Sequence, residues 1–206
     1  MSRIAVVGAG SWGTALASVL VDNGHEVVIW AMEPEVVREL REARTNEDFL
    51  PGATLRGPVE ATSELAVALE GVDMAVSVVP AQYVAGTWAS AVDALPADAV
   101  VVSASKGIEI GTLRRMDEVF EELRPGGAFG VLSGPSFAAE VADQAPTLVV
   151  AASRESDVAV KVQKAFQNRY FRVYTNLDVI GVELGGALKN VMALAAGVAA
   201  GLGYGH

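Results

Sequence analysis

The feature that most constrains this chain is a set of three glycines, Gly8, Gly10 and Gly13, between a short apolar run and a helical pattern. The run Ile4 to Val7 predicts a buried strand. At such a strand-to-helix connection, the first glycine makes the turn, the second admits a pyrophosphate and the third lets the helix pack closely. Free amides at the helix start would hold the phosphates. The sequence therefore predicts a dinucleotide site, the alternative being a glycine-rich turn without a ligand.

Short apolar runs alternate with helical stretches along the rest of the chain, a pattern typical of α/β proteins with a parallel sheet. We predict a doubly wound, mostly parallel Rossmann-type sheet over residues 1–176, and the first long helix of an all-α C-terminal domain over 177–206. The predicted strands are 3–7, 26–30, 59–61, 73–79, 99–102, 129–132, 147–152 and 171–174. The predicted helices before the last are 12–22, 34–43, 64–70, 82–94, 112–123 and 154–166.

Composition excludes several classes of function. The 206 residues include 25 acidic and 15 basic side chains, so the net charge of −10 argues against nucleic acid or an anionic membrane as a partner. There is no cysteine, and the two histidines, His25 and His206, lie far apart, so we expect no metal site. The most apolar stretch, Met192 to Leu202, is too short to span a bilayer. We therefore expect no membrane contact and a cytoplasmic protein.

Glu33 is the candidate contact to the adenosine ribose of a dinucleotide. It lies about 20 residues after Gly13, just beyond the second predicted strand, where an acidic side chain accepts from the ribose 2′-hydroxyl. Its neighbour Met32 is not an arginine that would accommodate a 2′-phosphate, so the pair favours NAD over NADP. The alternative is that Glu33 only begins a helix, with Pro34 in its first turn.

Three later strands also end in candidate ligand residues, because ligands of open α/β sheets bind at the carboxyl ends of strands. The segment Val79 to Gln82 follows one strand, and Lys106 follows the next, beside a glycine. An ammonium group there can neutralise a phosphate, although a solvated loop lysine is the alternative. The segment Ser133 to Glu140 offers Gly134 for close backbone approach and the Ser136 hydroxyl at a helix start, with an ordinary helix cap as the alternative.

The last helical stretch is unusual because it is rich in glycine. The spacing of Thr175 and Asp178 predicts a capping box at its start. On a helix, Lys189 shares a face with Gly185 and Gly186, so its amine can reach across a cleft to a ligand. The alternative is that the glycines only allow close packing and that Lys189 extends into solvent.

The same helix is apolar on most of its sides, which predicts that it is buried. We expect a further domain or a second subunit to cover it, so that this chain is a fragment. A homodimer is one form that such a partner could take.

Taken together, four stretches resemble those of bacterial NAD(P)-dependent glycerol-3-phosphate dehydrogenases. They occur in the order of that family and are spread over the whole chain: Gly8–Ala15, Ser105–Glu109, Ser133–Ala138 and Gly185–Asn190. The family interconverts sn-glycerol 3-phosphate and dihydroxyacetone phosphate. The resemblance implies NAD or NADP as cofactor, a small phosphorylated substrate and a role in glycerophospholipid precursor synthesis.

The resemblance also implies roles for individual residues. Ser11, Trp12 and Ala138 would contact the cofactor, and Lys106 would lie between cofactor and substrate. Gly134 and Ser136 would bind the substrate, and Lys189 would be the proton acceptor. Bacterial members often carry a basic residue where Met32 stands here, and their helical C-terminal domain completes the phosphate site. The chain is therefore expected to bind cofactor but to turn over poorly on its own.

Two other classes of function stay open at this point. One is a module that binds a dinucleotide without performing chemistry. The other is a dehydrogenase with the same two-domain plan that acts on a hydroxy acid.

Overall fold

A single eight-stranded sheet lies at the centre of the computed structural model, which describes residues 1–204. The strands are Arg3–Val7 (β1), Glu26–Trp30 (β2), Glu60–Thr62 (β3), Met74–Ser77 (β4), Val100–Ser103 (β5), Phe129–Ser133 (β6), Thr147–Ala152 (β7) and Phe171–Asn176 (β8). The helices are Ser11–Asp22 (α1), Pro34–Glu42 (α2), Leu65–Leu69 (α3), Val84–Ala89 (α4), Met116–Leu123 (α5), Ala138–Ala142 (α6), Ser156–Phe166 (α7) and Val179–Gly201 (α8).

The strand order places β1 at the point where the direction of winding reverses. The order is β3-β2-β1-β4-β5-β6-β7-β8, and every neighbouring pair is parallel except β6 and β7. In doubly wound sheets, the crevice outside the carboxyl ends of the strands at this reversal is where ligands bind. The predicted fold class is confirmed, and the crevice lies between the ends of β1 and β4.

Both faces of the sheet are covered by helices, which explains why the central strands are apolar throughout. Successive side chains of β1 point to opposite faces: Ile4 and Val6 belong to one buried cluster, and Ala5 and Val7 belong to another. The first cluster includes the apolar side of α1, and the second includes Trp88 and Phe120. Two cores therefore hold the strand ends in fixed positions.

Two predicted helices are shorter or more broken in the structure. The helix predicted over 82–94 is divided into α4 and two short 3-10 turns, Ala81–Tyr83 and Val92–Ala94. Just after α4, the Ser90 hydroxyl donates to the Thr87 carbonyl at 2.8 Å and so competes with the helical backbone. The helix predicted from residue 112 starts only at Met116, because Leu113 has a φ of 59° that an α-helix does not accommodate.

The capping box predicted from Thr175 is wrong. Strand β8 continues through Asn176, which pairs with Ala152 of β7, so Thr175 is still in the sheet. Asp178 is itself the residue that precedes α8, and its carboxylate accepts from the amide of Gly181 at 2.8 Å. The helix therefore starts at Val179 and is stabilised by an N-cap.

Helix α8 is more exposed than the sequence indicated. Its 23 residues have a mean hydropathy of 1.4 over an 18-residue window, so by length and composition alone it could cross a membrane. The argument from the shorter stretch Met192 to Leu202 is therefore wrong on length, and the absence of membrane contact stays a prediction. Val179 is the buried residue of the helix, whereas Leu194 is 70% exposed. The division of the chain at 176 also stays a prediction.

Candidate active site at the carboxyl edge of the sheet

The turn from β1 into α1 depends on two glycines that cannot carry a side chain. Gly8 has a φ of +114°, and a Cβ there would lie 3.1 Å from the carbonyl carbon of Val78, just after β4. A Cβ on Gly13 would collide with the carbonyl oxygen of Gly8. Gly8 therefore makes the tight turn, and Gly13 lets the helix lie against it, as the sequence predicted.

The second glycine of the motif, Gly10, faces open space. Gly10 precedes α1 in an extended conformation, and no atom of residues 1–204 outside its own neighbourhood lies within 4 Å of a Cβ built there. The first amides of α1 have no partner within the helix, its first turn carries no acidic side chain, and Ser11 is exposed at its start. Donors and the positive end of the helix dipole thus face an accessible surface, an arrangement that holds phosphate groups.

Lys106 lies against Trp12, so the segment after β5 meets the start of α1. Lys106 Nζ is 5.2 Å from the centroid of the Trp12 ring. Burial lowers the pKa of Lys106, and the nearby positive charge of Lys189 lowers it further. The indole N–H of Trp12 is buried and has no hydrogen-bond partner in the described part of the chain. A polar ligand group in this crevice would satisfy that donor.

The Lys106 segment is fixed to the end of β4 by two side chains. Ser105 Oγ donates to the Val79 carbonyl at 2.6 Å. The Gln82 amide donates to the Ile108 carbonyl at 2.8 Å and accepts from the Ile110 amide at 2.7 Å. Sequence placed Gln82 at the ligand-binding edge, but the pattern gave no sign that it joins the two segments.

The segment after β6 is built differently from the prediction. Helix α6 has five residues and follows Phe137, without a side-chain cap, so the expectation that the Ser136 hydroxyl lies at the helix start is wrong. Ser136 is buried, and its Oγ donates to the Gly134 carbonyl at 3.4 Å. A Cβ on Gly134 would lie 2.9 Å from the Leu148 carbonyl oxygen. The absence of a side chain at Gly134 therefore allows its backbone to pack against β7. Ala138 is the first residue of α6 and is half-buried.

Lys189 reaches the same edge from α8. Its Nζ is 5.2 Å from the centroid of the Phe137 ring. A Cβ on Gly186 would lie 2.6 Å from Ser133 Oγ, so this glycine lets α8 lie against the end of β6. Lys189 lines a cavity with residues of β6, β7 and α8: Ser133, Gly134, Pro135, Val150, Val182, Gly185 and Gly186. Gly186 therefore allows close packing, which was the alternative interpretation of the helix glycines. The other part of that alternative is wrong, because Lys189 is half-buried and does not extend freely into solvent.

The two lysines are close enough for the charge of Lys189 to affect Lys106. Each lies over an aromatic ring from a different strand-to-helix segment, Trp12 or Phe137. Phe137 was not among the predicted site residues. An aromatic side chain within a glycine- and serine-rich turn was the available signal, and here it is 63% exposed.

Glu33 lies apart from the lysines, beyond the end of β2. It is the half-buried residue before α2, and Pro34 is the first residue of that helix. The side chain of Glu33 makes no capping hydrogen bond, and Met32 beside it is 72% exposed. Both interpretations of Glu33 therefore remain compatible with its position, because the carboxyl ends of β2 and β1 face the same edge.

His25 belongs to a different part of the molecule. Its Nδ1 accepts from the Ser2 amide at 3.3 Å, and its Nε2 lies 3.2 Å from the Ala165 carbonyl, at the amino end of the sheet. Burial lowers its pKa. His206 lies outside the described residues, and no group of three or more potential metal ligands is found within residues 1–204.

Two protein-family models match the segments that form this site. The N-terminal model of NAD-dependent glycerol-3-phosphate dehydrogenase matches residues 3–159, and the C-terminal model matches residues 178–206. The chain belongs to this family.

Individual relatives show the extent of the match. The chain is 52% identical to the glycerol-3-phosphate dehydrogenase [NAD(P)+] of Citrifermentans bemidjiense over 98% of its length, and 48% identical to that of Thermobifida fusca over all of it. The crystal structure of the Coxiella burnetii glycerol-3-phosphate dehydrogenase is 36% identical, with a TM-score of 0.88 over 99% of the chain. The chain spans 62% of the length of each of these three proteins.

The contact between Gly13 and Gly8 can be tested by adding a methyl group. We expect Gly13→Ala to lower the free energy of unfolding by about 3 kcal/mol, because the new Cβ meets a backbone carbonyl that cannot move freely. Gly10→Ala is the matched control and should cost only about 1 kcal/mol, since its Cβ enters open space. Urea denaturation measures both values, and equal losses would contradict the packing role of Gly13.

Proposed function

We propose that this chain provides the cofactor site and the proton-transferring lysine of a glycerol-3-phosphate dehydrogenase. The reaction interconverts sn-glycerol 3-phosphate and dihydroxyacetone phosphate and supplies a precursor of glycerophospholipids. Membership of the family supports the reaction, and the relatives carry this name. The single observation that carries the proposal is the position of Lys106 and Lys189 at one edge of the sheet, over the rings of Trp12 and Phe137 and close enough for the charge of Lys189 to affect Lys106.

The residues at the end of β1 fit a dinucleotide. Gly8, Gly10 and Gly13 bring the backbone and the amides of α1 close to open space, which suits a pyrophosphate. Ser11 is exposed beside these amides, and the buried indole N–H of Trp12 has no hydrogen-bond partner within the described residues. Ala138 contributes a small side chain on the opposite segment. When bound, the nicotinamide ring supplies hydride acceptance in one direction and donation in the other.

Proton transfer falls to the protein, because oxidising a secondary alcohol also releases a proton from oxygen. Lys189 takes that proton during oxidation and returns it to the carbonyl oxygen during reduction. Lys106 stabilises the negative charge that develops on this oxygen. His25 does not substitute for them, because it is engaged at the amino end of the sheet.

The substrate would lie between the two amines, against the segment after β6. Gly134 and the Ser136 hydroxyl line this side, and their long internal hydrogen bond of 3.4 Å can be exchanged for one to the ligand. Two ammonium groups over this surface favour a substrate with a phosphate group.

Replacing Lys189 tests the proposal. In the full-length protein, we expect Lys189→Met to lower kcat by about 10²- to 10⁴-fold, the range for loss of a general acid–base group. NADH binding, measured by fluorescence titration, should change little, because the glycine turn lies on other elements. Lys164→Met on the exposed side of α7 is the control and should leave both quantities unchanged.

The same assay separates the other functions. NADH binding with no consumption of dihydroxyacetone phosphate by the unsubstituted protein would indicate a non-catalytic dinucleotide module. Consumption of NADH only with a ketoacid would indicate a hydroxy-acid dehydrogenase. Unchanged turnover in Lys189→Met would contradict the role of this lysine.

The cofactor preference is proposed to follow from the residues after β2. Glu33 carries a free carboxylate that can accept from a ribose 2′-hydroxyl and would repel a 2′-phosphate. Met32 brings no positive charge that would offset this repulsion. We therefore propose NADH as the preferred reduced cofactor.

Steady-state rates with the two cofactors test this preference. We expect kcat/KM to be higher for NADH than for NADPH, and Glu33→Gln to reduce the ratio by about tenfold, equivalent to about 1.4 kcal/mol of lost discrimination. Glu35→Gln, in the exposed first turn of α2, is the matched control and should keep the ratio. A higher kcat/KM for NADPH in the unsubstituted protein would contradict the assignment.

A further inference from the structure

Within residues 1–204, helix α8 contacts the rest of the fold along its first turns, up to Lys189. Val179 is buried, and Gly186 lies against Ser133 of β6. Between them is Glu183, whose side chain is only 6% exposed. It faces Asp117 at the start of α5, whose side chain is 4% exposed. Two carboxyl groups are therefore buried together where α8 meets the sheet domain.

The contacts around this pair are unequal. Asp117 Oδ1 lies 3.0 Å from Arg115 Nε, and Asp117 Oδ2 accepts from Arg154 at 2.8 Å. Glu183 Oε2 lies 3.4 Å from the same Arg115 Nε, and Glu183 Oε1 accepts from the Asp117 amide at 3.0 Å. Asp117 thus has two guanidinium partners, whereas Glu183 shares one at a longer distance.

A single proton between the carboxyl groups completes this arrangement. Asp117 Oδ1, Glu183 Oε2 and the Arg115 Nε that lies near both oxygens are buried without a hydrogen-bond partner within the described residues. A proton on Glu183 would satisfy both oxygens with one bond and would remove one of two adjacent negative charges. The better-paired Asp117 keeps its charge.

The surrounding charges favour the same placement. Burial, the hydrogen bond with Asp117 and the negative charge of Asp117 together raise the pKa of Glu183 to about 8, against smaller opposing effects of the Asp117 amide and of Arg115. Burial alone would raise the pKa of Asp117, but its hydrogen bonds with Glu183 and Arg115 outweigh this and lower it. The other charged groups nearby are Glu118, which pairs with Arg115, and three residues lining the adjacent cavity, Glu121, Arg124 and Glu155.

We propose that Glu183, hydrogen-bonded to Asp117 through a retained proton, is a positioning residue that holds α8 on the sheet domain and so places Lys189 beside Lys106. Lys189 follows Glu183 by six residues, about 9 Å along the helix axis. A tilt of the first turns would therefore move its amine away from Phe137 and the crevice. The catalytic part of this proposal depends on the proposed function, whereas the attachment of α8 does not.

The sign of the pH dependence follows from the retained proton. When α8 detaches, Glu183 returns to its ordinary pKa near 4.5 and releases the proton. The attached state therefore binds one more proton between pH 4.5 and about 8. The contribution of this proton to the free energy of attachment is complete below pH 4.5. Attachment weakens as pH rises through the window and changes little above it.

Hydrogen exchange of the full-length protein measures this attachment directly. After correction for intrinsic exchange rates, protection of peptides covering residues 179–190 should fall by at least about tenfold between pH 6 and pH 8. Glu183→Gln keeps a donor to Asp117 and cannot lose a proton, so its protection should stay within about twofold over the same range. Glu70→Gln, at an exposed position after α3, should behave as the unsubstituted protein does. Peptides from α1 serve as a control, because their protection changes only if the sheet domain as a whole becomes less stable.

Kinetics distinguish positioning from general destabilisation. At pH 7 we expect Glu183→Gln to keep kcat, and Glu183→Ala to lower kcat about tenfold with the NADH dissociation constant unchanged. Equal pH dependence of exchange in Glu183→Gln and the unsubstituted protein would overturn the proposal, as would unaltered protection and kcat in Glu183→Ala. Absence of turnover in the unsubstituted protein would contradict the proposed function instead, and the exchange result would still decide how α8 is held.

Discussion

The close contact between Gly13 and the carbonyl of Gly8 is the constraint on which the rest of the site depends. It lets α1 start directly above β1, so the unpaired amides of the helix open onto the crevice at the reversal of strand order. The positive φ of Gly8 turns the chain beside the end of β4, against Val78. The unpaired amides at the start of α1 and the carboxyl ends of the central strands are thereby brought to one place.

The two lysines reach this place by different routes. Lys106 is held by the sheet domain itself, because Gln82 and Ser105 join its segment to the end of β4. Lys189 depends on α8, a helix that is largely exposed beyond its first turns. The site is therefore fixed on the side of Lys106, whereas on the side of Lys189 its geometry depends on how α8 is attached. Such a division suits a reaction in which one group orients charge and another transfers a proton.

The sequence alone predicted the features that depend on residues close together in the chain. The spacing of the residues predicted the structural roles of Gly8 and Gly13. It also predicted the alternation of strands and helices, and both predictions were correct. Contacts between distant segments could not be predicted in this way: Gln82 is joined to Ile110, and Asp117 to Glu183, only because the sheet order brings those segments together. The predicted boundaries were wrong where a side chain competes with the helical backbone, as at the end of α4. They were also wrong where β8 continues beyond its apolar residues.

Amine cross-linking tests most directly whether Lys106 and Lys189 face one another. The chain has four lysines, and the other two, Lys161 and Lys164, lie together on α7 and serve as an internal control. With a short amine-reactive reagent and peptide mass spectrometry, we expect a Lys106–Lys189 cross-link that NADH suppresses, beside a Lys161–Lys164 cross-link that NADH leaves unchanged. Single modification of Lys106 and Lys189 without any link between them, while the control pair is joined, would contradict the shared crevice.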